Sequence, residues 1–237
     1  MTADLSRRSD ASELMDDPGT DYATFRDCLR DLARVNRMSL GYRPTLAFLE
    51  GLRRAGRLDL GRPVEVLDAG SGYGDLLRAV DAWAEGQGLA VRLTGVDLNP
   101  WSARAAAEAT PDGRPIRWVT ENVFDHDGGA DVVVSSLFTH HLEDTAAVAF
   151  LRWMEAKARV GWFVNDLHRH PLPHRTFGPL AAALRLHRFV RHDGPVSFAR
   201  AFVPDDWARL LREAGVPDGA ARVERWVPFR LCVARAR

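Results

Sequence analysis

The sequence predicts an α/β protein with a doubly wound, mostly parallel seven-stranded sheet, an antiparallel C-terminal strand pair, and helical N-terminal and lid elements. Three observations predict it. Short apolar runs alternate with helical-period segments from residue 64 onward, the pattern of βαβ units whose sheet is covered on both faces. A glycine-rich turn joins the first run to its helix. The last two runs, 222–227 and 231–234, flank Pro228 with so short a connection that they must be antiparallel.

The elements follow in order. Phe25, Leu29, Leu32 and Val35, then Leu46, Leu49 and Leu52, recur at helical spacing, and Gly41 to Pro44 divides them into two helices. Runs at 64–68, 91–97, 116–120, 131–135 and 160–165 read as strands. Segments 75–85, 100–110, 146–158 and 205–214 read as helices. Domain organisation is therefore a polar, frayed tail over 1–20, two N-terminal helices over 21–60 that form a cover, and one α/β domain over 61–237. That domain carries a lid insertion at about 171–202.

Composition excludes several classes. The 237 residues balance 32 basic against 32 acidic side chains, so no bulk field draws the chain to nucleic acid. Two cysteines, Cys28 and Cys232, are too few for a disulfide framework or a cysteine zinc site. No apolar run approaches the ~20 residues of a membrane span. The opening residues lack the apolar stretch of a leader despite Arg7 and Arg8, so a cytoplasmic location is expected.

The chemistry starts at Asp68-Ala69-Gly70-Ser71-Gly72-Tyr73-Gly74, where a strand hands over to a helix. Glycines there admit positive φ and let the backbone approach a ligand at the carboxyl end of a strand. A dinucleotide fingerprint wants glycine or alanine at position 75, and Asp75 stands there instead, a like charge toward a pyrophosphate. Asp68, two residues before the first glycine, suits a cationic ligand better. NAD is disfavoured. Asp97 ends the next strand roughly 20 residues on, placed to accept from two ribose hydroxyls. An acid there is otherwise a helix cap ahead of Pro100, but the glycine loop at this separation favours ligand binding.

With VLDAGSGYG, GVDLN, WVTENVFD and DVVVSSLFTHHLED in this order, the chain resembles the class I S-adenosylmethionine-dependent methyltransferases. The likeness covers about residues 64–214 and is closest to the small-molecule branch of quinone-biosynthesis and sugar or phenol O-methyltransferases. It implies a Rossmann-like methyltransferase fold, S-adenosylmethionine as cofactor and a small-molecule acceptor. By resemblance Asp68 faces the methionine amine, and Gly70, Ser71, Gly72 and Gly74 form the cofactor floor. Asp97 holds the ribose, with Leu98 against the adenine. The family's Gly-Asp-Ala after the third strand is replaced by Glu121-Asn122-Val123, so Asn122 stands where the acid reaches the adenine amine, beside Val123. Ser135 and Ser136 lie beneath the sulfonium, and Arg43 meets the methionine carboxylate.

A neutral hydroxyl acceptor must lose its proton, and histidine is the side chain best poised to take it. Five of the eight histidines follow strands four and five: His140, His141, His168, His170 and His174. These loops flank one crevice in an open parallel sheet. Set against this, one of His140 and His141 is as readily a cap or packing group, and His168 to His174 a solvated loop held extended by Pro171 and Pro173. In the resembling enzymes a histidine after strand four often pairs with an acid after strand five. His140 with Asp166 is that pair here, and His168 is the competing base.

No metal is expected. Catechol-type methyltransferases hold magnesium with acids after strand four and an Asp-Asn pair after strand five. Here strand four ends Ser135-Ser136 and the pair is reversed, Asn165-Asp166. His-x-His-x-x-x-His on an irregular loop is a weak zinc pattern. The lid mixes apolar and aromatic side chains with Arg185, Arg188 and Arg191. It suits an apolar, aromatic acceptor of secondary metabolism, such as a phenol, hydroquinone or polyketide, and its basic face permits contact with a membrane surface. A monomer or homodimer is expected. The competing readings are methylation at carbon or nitrogen, a non-catalytic methyltransferase-like partner subunit, and a nicotinamide or flavin oxidoreductase.

Overall fold

The computed structural model describes residues 4–17 and 19–237; the expected tail is followed only there, since 1–3 and 18 lie outside the described residues. Seven strands form one sheet: β1 (Val64–Ala69), β2 (Val91–Asp97), β3 (Ile116–Thr120), β4 (Ala130–Ser136), β5 (Ala158–Leu167), β6 (Ala221–Trp226) and β7 (Arg230–Ala236). Their spatial order is β3-β2-β1-β4-β5-β7-β6. The first five are parallel, and β7 inserts antiparallel to both β5 and β6. Order reverses between β1 and β4, so the crevice beyond their carboxyl ends is where such sheets bind ligands.

The strands are apolar runs because both faces are covered. Along β1, Leu67 and Ala69 enter a core with Phe150, Leu151, Met154, Trp162, Trp207 and Leu210, whereas Val66 enters the opposite core with Leu49, Leu77, Leu93 and Phe163. The first core is closed by α5 (Asp144–Lys157) and α8 (Pro204–Ala214), the second by α2 (Arg43–Arg54) and α3 (Asp75–Gly86). Helix α4 (Pro100–Glu108) packs against α1 (Tyr22–Met38) and the outer strands.

The insertion folds as a helical hairpin, α6 (Pro171–Ala183) and α7 (Arg188–Arg200). The expectation of an extended loop through His174 is corrected here. Pro171 and Pro173 occupy the first helical turn, where the missing N–H costs nothing. Gly194 lets the two helices close: a Cβ there would stand 2.1 Å from the Phe177 ring.

The frayed tail is likewise corrected over the described residues. Ser9 N donates to Ala199 O (3.0 Å), and Leu14 N and Met15 N donate to the Asp193 carboxylate (2.8 and 3.1 Å). Arg8 stacks on Phe202, 3.8 Å from the ring centroid, and donates to Asp144 and to the His140 and Leu142 carbonyls. A polar segment docks because its partners are fixed polar groups, which hydropathy does not register.

At the amino end of the sheet, buried Asp131 joins β1 and β4. It accepts from Arg62 (2.8 and 2.6 Å), Arg159 (3.0 Å) and Glu65 N (2.9 Å). Burial alone would raise its pKa, but these donors outweigh it and hold the carboxyl at about 2. A depressed carboxylate stabilises the fold above its unfolded pKa of 3.8, and that contribution is lost as pH falls toward 2. Asp131→Asn should therefore lose about 2 kcal/mol near neutral pH and flatten the pH dependence of urea unfolding between about pH 4 and 2. An unchanged acid limb would contradict this role.

Candidate active site

Three loops meet beyond the carboxyl ends of β1, β4 and β5. The turn after β1 holds Gly70, Gly72 and Gly74 at φ +75°, +49° and +70°. Glycine is required for space as well: a Cβ on Gly70 would lie 2.5 Å from Phe138, and one on Gly74 would lie 2.1 Å from Trp118. Ser71 is buried in the same turn.

Asp68, at the end of β1, is fully buried and one of its carboxylate oxygens has no partner. Burial, then the nearby charges of Asp75 and Asp97, push its pKa well above the usual carboxylate range. A carboxyl kept from ionising this way is a ready counter-ion for a ligand ammonium, which would relieve both penalties. Asp97 accepts from Gly72 N (2.8 Å) and Asn99 N (2.9 Å), so it ties β2 to the glycine loop. The cap ahead of Pro100 is Asn99, which leaves Asp97 for the loop. Leu98 beside it is 71% exposed, an apolar face turned outward.

Two expected contacts are spent inside the protein. Asn122 Oδ1 accepts from Phe124 N (3.1 Å) and caps the turn that buries Val123. Ser135 donates to Ala69 O (2.8 Å), bridging β4 to β1, while Ser136 is only partly buried.

Beyond β4, residues Thr139–His141 form a single 3-10 turn held by Asp166 of β5. The Asp166 carboxylate accepts from Thr139 Oγ1 (2.5 Å), His140 N (2.9 Å) and Leu167 N (2.7 Å), and lies 2.7 Å from His140 Nδ1. Burial would raise Asp166, but His140 and these donors hold it below the usual range. The far ring nitrogen, His140 Nε2, faces Glu13 of the N-terminal segment at 3.7 Å. Burial would lower the His140 pKa; the Asp166 and Glu13 carboxylates overcome that and lift it to about 9. Glu13, raised by burial but lowered further by both histidines and by Ser197, sits at about 2. His141 approaches the same carboxylate at 3.9 Å.

Residues 66–161 match the profile of the methyltransferase domain family. Over those residues the chain is similar to methyltransferase domains. The fold is shared across most of its length. It resembles the magnesium protoporphyrin IX methyltransferase of Synechocystis PCC 6803 with bound S-adenosylmethionine (14% identity, TM-score 0.55, 94% of this chain and 88% of that one). A plantazolicin methyltransferase in complex with S-adenosylhomocysteine is 12% identical (TM-score 0.60, 90% and 96%). Human N-acetylserotonin methyltransferase with S-adenosylmethionine is 15% identical (TM-score 0.61, 92% of this chain and 56% of that one). No curated protein is significantly similar in sequence.

The histidines of these loops divide. His140 and His141 meet at the dyad, whereas His168 packs beside His170 and Arg225 and bridges to Phe202. Burial and then Arg225 lower its pKa. His170 caps α6 by accepting from Leu172 N, and His174 lies 2.9 Å from Pro195 O in α7. Of the five, His140 and His141 thus meet one carboxylate, His168 follows β5 directly, and His170 and His174 belong to the start of α6.

Arg43 opens α2 on an exposed face. A cation buried at this end of the sheet is Arg230 of β7, donating to Asn165 Oδ1 (3.4 Å) and Asn36 Oδ1 (3.0 Å), with Asp75 and Asp166 near it. Nothing in the sequence marks Arg230, Glu13 or Arg8. Asp75 proves to be an anchor, accepting from Asn36 Nδ2 (3.1 Å) and Tyr42 (2.7 Å), so it pins α1 and α2 to the helix that follows the glycine loop. Tyr42→Phe should cost about 2 kcal/mol in urea unfolding, the scale of a hydrogen bond to a charged group. A loss below about 0.5 kcal/mol would show that the anchor lies elsewhere.

Proposed function

We propose that this small-molecule methyltransferase O-methylates an apolar aromatic acceptor such as a phenol or hydroquinone, with His140 as general base and Asp166 orienting it. The observation that carries the reading is the buried His140–Asp166 pair at 2.7 Å, on the loop whose Phe138 packs against the glycine turn. S-adenosylmethionine supplies an electrophilic methyl on a sulfonium when bound. The chain's own residues do the rest.

Asp68 would pair with the ligand ammonium, the Gly70–Gly74 turn would let the backbone approach, and Asp97 would accept from the ribose hydroxyls beside Leu98. Val123 packs in the core behind that turn. Ser135 supports the floor by holding β4 to β1, Ser136 ends β4 beside it, and Asn122 acts through its turn. For the ligand carboxylate, the buried Arg230 is better desolvated than the exposed Arg43. Asp166 takes the Nδ1 side of the ring and fixes its orientation; with the His140 pKa lifted to about 9, Nε2 must lose its own proton before it receives the acceptor's, so the rate should rise as pH approaches 9. Glu13 marks that face, so an acceptor hydroxyl would take its place. Much of the rate would come from holding hydroxyl and methyl in attack geometry while α1, α6 and α7 exclude water. His168, away from the dyad, serves the lid rather than the proton transfer.

His140→Ala should lower kcat by roughly 10²-fold or more with a phenolic acceptor while leaving cofactor affinity nearly unchanged. Asp97→Ala should chiefly weaken S-adenosylmethionine binding. A fully active His140→Ala enzyme would refute the base, and unchanged affinity in Asp97→Ala would refute the ribose contact. Failure of the wild type to methylate any acceptor despite tight cofactor binding would favour a partner-subunit role.

A further inference from the structure

We propose that Glu13, His140 and His141 form a binding site for one zinc-class divalent cation, assembled only when the N-terminal segment docks on the turn after β4. One ligand atom from each residue lies within 4.8 Å of the other two. His140 Nε2 is 3.7 Å from Glu13 Oε1, and His141 Nε2 is 3.9 Å from Glu13 Oε2. A tetrahedral cation with ligands at 2.0–2.1 Å separates its ligand atoms by roughly 3.3–3.4 Å. The two histidine–carboxylate gaps exceed this by a few tenths of an ångström, and no pair in the set is wider than 4.8 Å, so side-chain movement closes the site on a cation.

The surroundings are those of a metal centre. Metal-binding histidines almost always donate their second nitrogen to a carboxylate or carbonyl, which fixes the tautomer and aims the free lone pair. Both histidines have such a partner: Asp166 at 2.7 Å from His140 Nδ1, and Asp16 at 3.3 Å from His141 Nδ1. The third ligand is held as well, since Ser197 donates to Glu13 Oε1 at 2.7 Å and is placed by its own bond to Asp193 O. Glu13 and His140 are nearly sealed from solvent and His141 is partly open, so the fourth position would face outward along His141.

The donor set selects the ion. Two imidazoles and one carboxylate suit zinc and its neighbours, whereas magnesium and calcium want six or more oxygens. This set differs from the acids after strands four and five that hold magnesium in catechol-type enzymes, because its carboxylate comes from the far N-terminus. It shares His140 with the proposed methyl transfer, so Nε2 can serve the acceptor's proton or the cation and not both.

The test uses the full chain, stripped by chelator and without cofactor or acceptor, titrated with Zn²⁺ against a chromophoric competitor. One equivalent should bind, and Co²⁺ in its place should give the visible spectrum of a four-coordinate ion. Glu13→Gln and His141→Ala, each shown folded by thermal melting, should weaken binding by more than about 100-fold. Asp16→Asn should weaken it by roughly 10–100-fold, the range for an outer partner. Absence of stoichiometric binding by the wild type would overturn the site, as would binding that survives both Glu13→Gln and His141→Ala.

Discussion

A carboxylate at the end of β5 organises the chemical end of this molecule. Asp166 accepts from Thr139 and from the His140 and Leu167 amides, and it orients the His140 ring. Buried, it is tolerable only because each of these donors is present; removing any one would leave charge uncompensated in an apolar setting. The result is that a 3-10 turn which could take many conformations in water has one here. From that turn Phe138 reaches the glycine loop, His140 faces the N-terminal segment, and the His140 and Leu142 carbonyls receive Arg8. The methyl-donor cradle and the candidate base are thereby fixed relative to one another through β1, β4 and β5.

The cover over the site is built from three parts of the chain. Helix α1 packs Phe25 and Leu29 beside Tyr73 of the glycine loop and presents Cys28 to Leu186 and Val190 of the lid. Cys28 and His187 meet at 2.9 Å, but burial and the neighbouring acids push the thiol up to about 12, so the pair locks α1 to α7 and offers no nucleophile. The N-terminal segment then crosses α7 and ends with Glu13 against both histidines. Cover and chemistry thus share residues, so movement of the segment would change the environment of His140 directly.

How much of this was legible depended on the range of the interactions. The strands were read well because a parallel strand buried on both faces must be apolar along its length, and Val64 to Ala69 or Asp131 to Ser135 satisfies that locally. That Asp68 and Asp97 lie at strand ends beside the glycine turn was legible because their spacing from three glycines is a local pattern. The pairing of His140 with Asp166 was reached through family likeness, since β4 and β5 are adjacent and the two residues share one end. Glu13 was not legible: its hydroxyl partner Ser197 is 184 residues away, and a single acid in a polar stretch carries no periodicity. The alternative of a solvated loop over residues 168–174 fails at Pro171 and Pro173, where the same residue that breaks a helix interior opens a helix, and only packing against α7 decides which.

Calorimetric titration with S-adenosylmethionine, its product S-adenosylhomocysteine and NAD tests the central claim most directly. Asp68, the glycine turn and Asp97 predict micromolar binding of the first two ligands and none of NAD. Binding of NAD alone, or silence from all three, would contradict it.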